Sequence, residues 1–192
     1  MKVSPAEIPG ILLIEPDVYS DGRGFFVETW SRHRYAQAGV AGDFVQDNVS
    51  RSCRDTLRGL HLQQPHAQGK LVHVLDGEVF DVVVDVRVGS PTFGRWMGTV
   101  LSVANHRQIY IPAGFAHGFC VTSDSALFAY KCTDLYHPEA ETGVAWDDPD
   151  LAIDWPTRAP RLSQKDSRFT RLGEIDRARL PQWQADAGPG AA

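Results

Sequence analysis

Short β-branched and aromatic runs, separated by turn-forming residues, recur along this sequence and limit the folds open to it. The clearest run covers residues 79–86 (VFDVVVDV), in which Asp81, Val83 and Asp85 fall on one face of a strand and the intervening residues on the other. The other runs that predict strands are 70–75, 96–101, 109–111, 119–122 and 126–132. Breaks rich in Gly, Pro, Asn, Asp and Ser recur at intervals of about ten residues, which is typical of a sandwich or barrel.

Helix signals are scarce in this sequence. Residues 31–38, followed by Gly39, predict one short helix, and residues 174–180, before Pro181, predict another. Asp76-Gly77 between two strand-like runs predicts a tight hairpin. We therefore expect one all-β domain over residues 1–186 with short peripheral helices, and a flexible tail over residues 187–192 (AGPGAA).

Composition and charge exclude several classes of protein. The 192 residues are 43% hydrophobic and 22% charged, as in ordinary folded domains. Apolar runs fall far short of the roughly 18–20 residues that span a bilayer, so no membrane association is expected. The net charge of −5 and the absence of a basic block argue against nucleic-acid binding. Three cysteines without a Cys-x-x-Cys pair argue against a disulfide scaffold and predict a cytoplasmic protein.

Two histidine-containing segments point to a particular barrel. Residues 112–117 (PAGFAH), ending in His117, have the Pro-x-Gly-x-x-His form that closes the cupin type of double-stranded β-helix. Metal-binding cupins carry His-x-His followed closely by Glu, whereas this chain has His61-Leu62-Gln63 and no carboxylate until Glu78. A metal generally needs three or four protein ligands. The sequence therefore predicts a cupin-like double-stranded β-helix, or jelly roll, that holds no metal at this position.

A barrel mouth without a metal can still perform acid–base chemistry, because an apolar pocket with a few convergent polar groups is the usual site in such folds. The candidate groups are His61, Lys70, His117, Tyr130 and Asp166, together with Arg23 and Arg58. Each also has a structural interpretation. A strand histidine or tyrosine is often part of the barrel wall, Arg23 is a possible turn-end charge, and Asp166 can start a turn or cap a short helix.

Taken together, many segments in one order closely resemble the dTDP-4-dehydrorhamnose 3,5-epimerase family. The segments are 21–28 (DGRGFFVE), 46–50 (QDNVS), 57–61 (LRGLH), 69–72 (GKLV), 79–87, 89–94 (GSPTFG), 112–119, 130–136 (YKCTDLY), 146–149 (WDDP) and 153–156 (IDWP). The resemblance implies a homodimeric, cofactor-free cupin acting on dTDP-4-dehydro-6-deoxy-D-glucose. It would invert C3 and C5 and produce dTDP-4-dehydro-L-rhamnose.

The implied reaction assigns roles to four candidate residues. The C4 ketone acidifies the hydrogens on both neighbouring carbons, so the enzyme needs a base, a stabiliser of the enolate oxygen and an acid on the opposite face. By resemblance His61 is the base and Asp166 orients its imidazole and stabilises the imidazolium, as a carboxylate does in a catalytic triad. Lys70 would meet the enolate oxygen, and Tyr130 would return a proton from the other side.

The resemblance also implies a set of substrate-binding residues. Arg23 and Arg58 suit the diphosphate, because a guanidinium offers paired planar donors. Tyr136 matches the position that stacks on thymine. The remaining ligand-binding positions are Glu28, Gln46 and Asn48, for thymine or sugar hydroxyls, and His117, Glu141 and Lys165, whose individual roles the resemblance does not specify.

The alternation of side chains along a strand supports part of this assignment and conflicts with another part. Gln46 and Asn48 are two residues apart, so both side chains can face one pocket. Arg58 and His61 are three apart and would face opposite sides of a regular strand. Either Gly59 marks a bulge that re-aims one of them, or one of the two assignments is wrong.

Three alternatives to the double epimerase remain open at this point. A relative in the same fold could invert only C3 of a related dTDP-4-keto-6-deoxysugar and keep the same His and Tyr. A metal-dependent cupin is disfavoured by the incomplete ligand motif. A non-catalytic sugar-nucleotide-binding module is disfavoured by His61, Lys70, Tyr130 and Asp166, because binding alone needs no acid and base on opposite faces.

Overall fold

The computed structural model describes residues 1–184, and these contain mostly β-strands. The strands are β1 (Lys2–Pro5), β2 (Leu12–Glu15), β3 (Val18–Asp21), β4 (Gly24–Val27), β5 (Gln46–Cys53), β6 (Leu57–Gln63), β7 (Lys70–Asp76), β8 (Glu78–Asp85), β9 (Trp96–Ser102), β10 (Gln108–Ile111), β11 (Phe115–Val121), β12 (Ser125–Cys132) and β13 (Glu141–Gly143). One α-helix, α1, covers Arg32–Gln37, and short 3₁₀ turns cover Pro138–Ala140, Asp166–Arg168, Leu172–Glu174 and Arg177–Arg179. The predicted tail at 187–192 lies outside the described residues. Across residues 1–184 no helix is long and apolar enough to cross a membrane.

Two antiparallel sheets face each other. The larger has the order β1-β2-β10-β7-β12-β5 and the smaller β13-β6-β11-β8-β9, while β3 and β4 form a separate hairpin. From β5 to β12 the chain passes from one sheet to the other at nearly every step. Within this stretch β8 and β9 are the only strands consecutive in sequence that pair with each other. This winding is the double-stranded β-helix, so the predicted all-β, cupin-like jelly roll is confirmed.

The strand predicted from residues 79–86 lies in the middle of the smaller sheet and is buried on both faces. Val79 and Val83 point between the two sheets into the main core. Val82 and Val84 point outward, where the C-terminal segment covers them with side chains such as Leu172. A strand covered on both faces needs an almost continuous apolar sequence, which explains its run of valines.

The hairpin predicted at Asp76-Gly77 is wrong. Strand β7 pairs with β10 and β12 in one sheet, whereas β8 pairs with β11 and β9 in the other. The turn therefore carries the chain between sheets. Glycine is needed there for a different reason, since Gly77 has φ +78° and a Cβ atom would lie 2.0 Å from the Ser125 carbonyl oxygen.

The helix predicted over residues 31–38 is confirmed as α1, but the one over residues 174–180 is wrong. That region forms parts of two 3₁₀ turns, which are separated by Asp176 and by Ile175, an extended residue (φ −74°, ψ 131°). The Asp176 side chain accepts a hydrogen bond from the Ala178 amide at 3.0 Å and so starts the second turn. Burial of Ile175 and Leu180 against the smaller sheet favours this irregular path over a regular helix.

A buried histidine on β7 makes stability depend on pH. His73 lies with Phe25 and Gln108 around a small cavity, and its Nδ1 is buried without a hydrogen-bond partner among residues 1–184. Burial, aided by Lys131, lowers the pKa of His73 from 6.5 to about 4. Between these values the unfolded chain takes up a proton that the folded chain does not, so acidification favours unfolding.

We expect His73→Gln to flatten this dependence. The wild-type free energy of unfolding should fall by up to about 3 kcal/mol from this group as the pH drops from 7 to 4. Urea denaturation at pH 7 and pH 4.5 measures the effect, with His33→Gln, at an exposed position on α1, as the control. An equal fall in wild type and His73→Gln would contradict the role given to His73.

Candidate active site

A cavity of about 330 Å³ opens between the two sheets and gathers most of the predicted site residues. Those lining it are Gln46, Asn48, Arg58, His61, Lys70, His117, Tyr130, Tyr136, Glu141 and Lys165. Asp166 contacts one of them, His61, by a hydrogen bond. Arg23 and Glu28 do not line the cavity. Residues from both sheets thus converge on one space, although they are spread over more than half of the chain.

A histidine on the smaller sheet pairs with a carboxylate from a 3₁₀ turn. His61 Nε2 lies 2.7 Å from Asp166 Oδ1, and Asp166 is 3% exposed while His61 is 27% exposed. The Asp166 amide donates to Ser163 Oγ, which shapes the 3₁₀ turn that presents the carboxylate, and Phe169 packs edge-on against the imidazole. Burial by itself would raise the pKa of Asp166, but the hydrogen bond and charge of His61, together with Ser163 and Lys165, outweigh it and lower that pKa. The carboxylate therefore stays ionised and fixes the ring.

Arg58 and His61 share one face because β6 is irregular between them. His61 lies opposite His117 on β11 and Arg58 lies opposite Phe119, with a register shift between the two pairs. Gly59 has φ +137°, and a Cβ atom there would lie 2.6 Å from Gly118 Cα. The bulge considered from the sequence is confirmed, and both side chains reach the cavity. Arg58 Nε donates to Ser52 Oγ at 3.0 Å, which directs the guanidinium.

We expect Gly59→Ala to destabilise the fold strongly. The substitution combines an unfavourable positive φ with a contact too close for any Cβ atom. Gly24→Ala is the matched control, because Gly24 has φ +133° and open space around the added methyl group. The difference between the two variants in urea denaturation should be about 1–3 kcal/mol, the usual cost of overpacking. Equal destabilisation would show that the approach to Gly118 does not constrain β6.

The larger sheet supplies the facing wall. Lys70 on β7 lies opposite Cys132 on β12, and Tyr130, two residues before Cys132, shares that face. Within residues 1–184 the Lys70 ammonium has no hydrogen-bond or ion-pair partner. Burial lowers the pKa of Lys70, although Cys132 and Asp81 act in the opposite direction. Burial raises the pKa of Tyr130, so its phenol keeps its proton at neutral pH.

A second histidine–carboxylate pair lies deeper in the cavity wall. Its histidine was predicted as a site residue, but its carboxylate was not. His117 Nε2 lies 2.9 Å from Asp81 Oδ2, and both side chains are buried. Burial lowers the pKa of His117 in spite of the carboxylate. The other Asp81 oxygen has no partner among the described residues. The sequence signal for Asp81 is a carboxylate on the same face as Val83 in a run of valines, and that pattern alone assigns it no role.

Other lining residues were missed, and strand parity would have found several. These residues are Ser50, Gln68, Gly118, Phe119, Phe128 and Cys132. Ser50 is two residues from Asn48, and both Phe128 and Cys132 are two residues from Tyr130. Each therefore shares a face with a residue that had been predicted.

Three polar side chains form a network at the rim. Tyr136 Oη donates to Glu141 Oε2 at 2.6 Å, and Lys165 Nζ contacts both oxygens of Glu141 at 2.8 Å. The bond to Glu141 raises the pKa of Tyr136 to about 12. On the other side Gln46 accepts from the Tyr136 amide at 2.9 Å and donates to Asn48 at 3.0 Å. The aromatic ring of Tyr136 remains half exposed at the opening.

Arg23 and Glu28, both predicted to bind substrate, do not line the cavity of their own chain. Arg23 lies on the β3–β4 hairpin, pairs with Asp21 at 2.5 Å and is 91% exposed. Glu28 pairs with Arg34 on α1. The hairpin pairs with neither large sheet, and among residues 1–184 these two side chains bond to Asp21 and Arg34 and to no residue of the cavity.

Comparison with known proteins decides the family. The sequence model described as dTDP-4-dehydrorhamnose 3,5-epimerase matches residues 5–174. The chain belongs to the dTDP-4-dehydrorhamnose 3,5-epimerase family. An enzyme of that name from Pseudomonas aeruginosa is 53% identical over 178 residues, which are 92% of this chain and 98% of that protein.

Solved structures of the family agree with the fold. A dTDP-6-deoxy-D-glucose-3,5-epimerase from Legionella pneumophila, in complex with dTDP-4-keto-L-rhamnose, superposes with a TM-score of 0.93 at 53% identity, covering 96% of this chain and 99% of that one. The chain is also similar to a dTDP-4-dehydrorhamnose 3-epimerase from Streptomyces niveus. The two are 42% identical over 186 residues, which cover 95% of this chain and 90% of that protein.

Proposed function

We propose that this protein is an isomerase that inverts C3 and C5 of dTDP-4-dehydro-6-deoxy-D-glucose to give dTDP-4-dehydro-L-rhamnose. The observation that carries the proposal is that His61, paired with Asp166, lies on one sheet and Tyr130 lies on the facing sheet. Inverting a carbon requires a proton to leave from one side and another to arrive from the opposite side. A base and an acid on facing walls of one cavity match that requirement.

In this proposal His61 is the base that removes the proton. The imidazole takes the hydrogen from the carbon next to the C4 ketone, and the electron pair moves into an enolate. Asp166 holds the ring through Nε2, which leaves Nδ1 to accept the proton, and it stabilises the imidazolium that forms. The Lys70 ammonium, which has no hydrogen-bond or ion-pair partner among residues 1–184, is available to stabilise charge on the enolate oxygen in this half-buried setting.

Reprotonation falls to Tyr130. Its phenol gives a proton to the enolate carbon from the larger sheet, the carbonyl re-forms, and the centre is inverted. The phenolate then regains a proton and the imidazolium loses one to solvent, so the enzyme returns to its starting state. Repetition at the second carbon next to the ketone completes the double inversion.

The remaining cavity residues fit the nucleotide. We propose that Arg58 binds the diphosphate, that Tyr136 stacks on thymine at the opening, and that Gln46 and Asn48 hydrogen-bond the nucleoside or sugar. Support comes from the exposed Tyr136 ring and the mutual hydrogen bond that orients the two amides. His117, Glu141 and Lys165 complete the polar lining.

Solvent exchange tests the function directly. The protein is incubated with dTDP-4-dehydro-6-deoxy-D-glucose in heavy water, and deuterium is located in the sugar by mass spectrometry and NMR. Deuterium at both C3 and C5 with inversion is the expected result. Deuterium at C3 alone would assign the single-epimerase activity named for the Streptomyces niveus relative. No incorporation despite nucleotide binding would overturn the proposal.

We further propose that the protein is a homodimer in which the β3–β4 hairpin packs against the second subunit. Tyr19, Phe25 and Phe26 on the hairpin are 65%, 55% and 70% exposed, an unusual concentration of aromatic surface for a monomer. A hairpin that crosses the interface would carry Arg23 and Glu28 to the neighbouring cavity. Each site would then combine His61 of one subunit with Arg23 of the other.

Subunit mixing tests this arrangement. Arg23→Ala and His61→Asn homodimers should each be nearly inactive, and after subunit exchange the mixture should recover roughly a quarter of wild-type activity. Half of the dimers are then mixed, and each mixed dimer holds one intact site. Size-exclusion chromatography with light scattering checks the dimer. Failure of a demonstrated mixed dimer to recover activity would place Arg23 in the site of its own chain.

A further inference from the structure

A cluster of metal-ligating side chains lies outside the acid–base centre, on two loops near the cavity rim. His66 Nδ1 is 3.5 Å from Asp134 Oδ2, and His137 Nε2 is 3.9 Å from Asp134 Oδ1. One ligand atom from each of these three residues lies within 4.8 Å of the others. The mechanism proposed above uses none of the three.

We propose that His66, Asp134 and His137 form a binding site for a divalent transition metal, for which Zn²⁺ is the best-matched ion. Two imidazoles and one carboxylate are donors that Zn²⁺ accepts readily. The inference is independent of the epimerase activity, because it rests only on the geometry of these loops.

One separation already suits a tetrahedral ion, and the others must shorten when the ion binds. With Zn–N and Zn–O bonds of about 2.0–2.2 Å, neighbouring donor atoms lie roughly 3.3–3.5 Å apart. The His66–Asp134 distance of 3.5 Å already matches this, and it is too long for a good hydrogen bond. The two imidazole rings are stacked at 4.0 Å and must tilt apart, because a metal lies in the plane of each ring it binds. Both side chains are partly exposed (47% and 29%), so the rotation is sterically open.

Two glutamine side chains hold the loops in position for binding. Gln63, which is 5% exposed, donates to the His66 carbonyl oxygen at 2.8 Å and accepts from the His137 amide at 2.8 Å. Gln68 donates to the Asp134 carbonyl oxygen at 2.8 Å. The backbones of all three proposed ligands are therefore fixed to one another without a metal, which reduces the entropy that binding must overcome.

The second nitrogen of His137 also has a suitable partner. His137 Nδ1 lies 3.4 Å from Glu139 Oε1, on the side of the ring away from Asp134. A carboxylate on the non-ligating nitrogen is the common outer partner of a metal-bound histidine, where it fixes the ring and increases its basicity. Three protein ligands leave the fourth position to water.

Binding would join the loop at 64–68 to the segment that carries Tyr136. Tyr136 lies between Asp134 and His137 in the chain, and its ring lines the opening of the cavity. A metal on the cluster would therefore restrict a segment that contacts the proposed nucleotide. This gives the site a route by which occupancy could alter substrate affinity without touching His61 or Tyr130.

The test is Zn²⁺ binding by protein from which any affinity tag has been removed, measured by competition with a chromophoric chelator. One equivalent should bind, and His66→Gln, His137→Gln and Asp134→Asn should each weaken binding by at least tenfold, since even an outer partner is worth about 10–100-fold. Glu139→Gln should weaken it less. His33→Gln, an exposed histidine on α1, should bind as the wild type does.

A second control addresses thiol binding. Cys53 is exposed, so Cys53→Ser should retain the site if the histidine cluster holds the metal. Circular dichroism spectra identical to wild type would show that the cluster variants fold. Absence of saturable binding, loss of binding in Cys53→Ser, or unchanged affinity in folded His66→Gln and His137→Gln would each overturn the proposal. A crystal soaked in Zn²⁺ should show anomalous scattering between His66 and His137.

Discussion

Replacing His61 by asparagine is expected to abolish deuterium exchange at both C3 and C5. Asparagine keeps a side chain of similar size but cannot accept the proton, and general base catalysis contributes about 10²–10⁴-fold to rate. Nucleotide binding should change little, because the residues proposed to hold the nucleotide lie elsewhere on the cavity wall. Exchange is measured by mass spectrometry of the recovered sugar, and dTDP affinity by calorimetry.

The design separates loss of the base from loss of the fold. Retained dTDP affinity in His61→Asn shows that the cavity is intact, and His33→Asn controls for removal of an imidazole from the surface. Asp166→Asn should give a smaller but substantial loss, because the imidazole remains and only its orientation and charge partner are removed. Exchange that persists at wild-type rate in His61→Asn would assign the base to another residue.

Replacing Tyr130 by phenylalanine is expected to separate proton removal from inversion. His61 would still form the enolate, and the imidazolium would return deuterium to the face from which the proton left. Unreacted substrate should therefore become deuterated in heavy water while epimerised product falls by about 10²–10⁴-fold. The ratio of substrate labelling to product formation, followed by NMR, is the measurement.

Tyr136→Phe provides the matched control for this experiment. It removes a phenol from the same cavity, but one that donates to Glu141 at the rim. We expect Tyr136→Phe to change the KM modestly and to cause no accumulation of deuterated substrate. Equal loss of labelling and product in Tyr130→Phe would show that Tyr130 holds the sugar in place instead of donating the proton.

Much of the candidate site was predictable because its residues lie on strands, where side chains two residues apart share a face. Gln46 and Asn48 were expected to share a face from their spacing, and in the structure they hydrogen-bond one another. The same parity would have added Ser50 and Cys132. The hairpin at Asp76-Gly77 failed for the opposite reason, since a turn signal records the local backbone conformation and contains no information about which sheet receives the next strand.

His61 and Asp166 are 105 residues apart in the sequence, and only the resemblance to a family linked them before the structure was known. Asp81 illustrates the same limit. Its alternation with valines placed it on one face of β8, but whether that face is buried depends on the opposing sheet. There it meets His117, which a local pattern cannot indicate.

The amino-acid sequence was enough to predict an all-β jelly roll, the position of α1, the family, and the set of residue types that perform the proposed acid–base chemistry. Those features follow from side-chain periodicity, turn residues and ordered motifs. The folded structure was needed to show that β7 and β8 belong to different sheets, that the bulge at Gly59 turns Arg58 toward His61, and that Arg23 lies away from the cavity of its own chain. The physical reason is that these outcomes depend on contacts between distant segments, whose energies are set by packing and burial in the assembled fold.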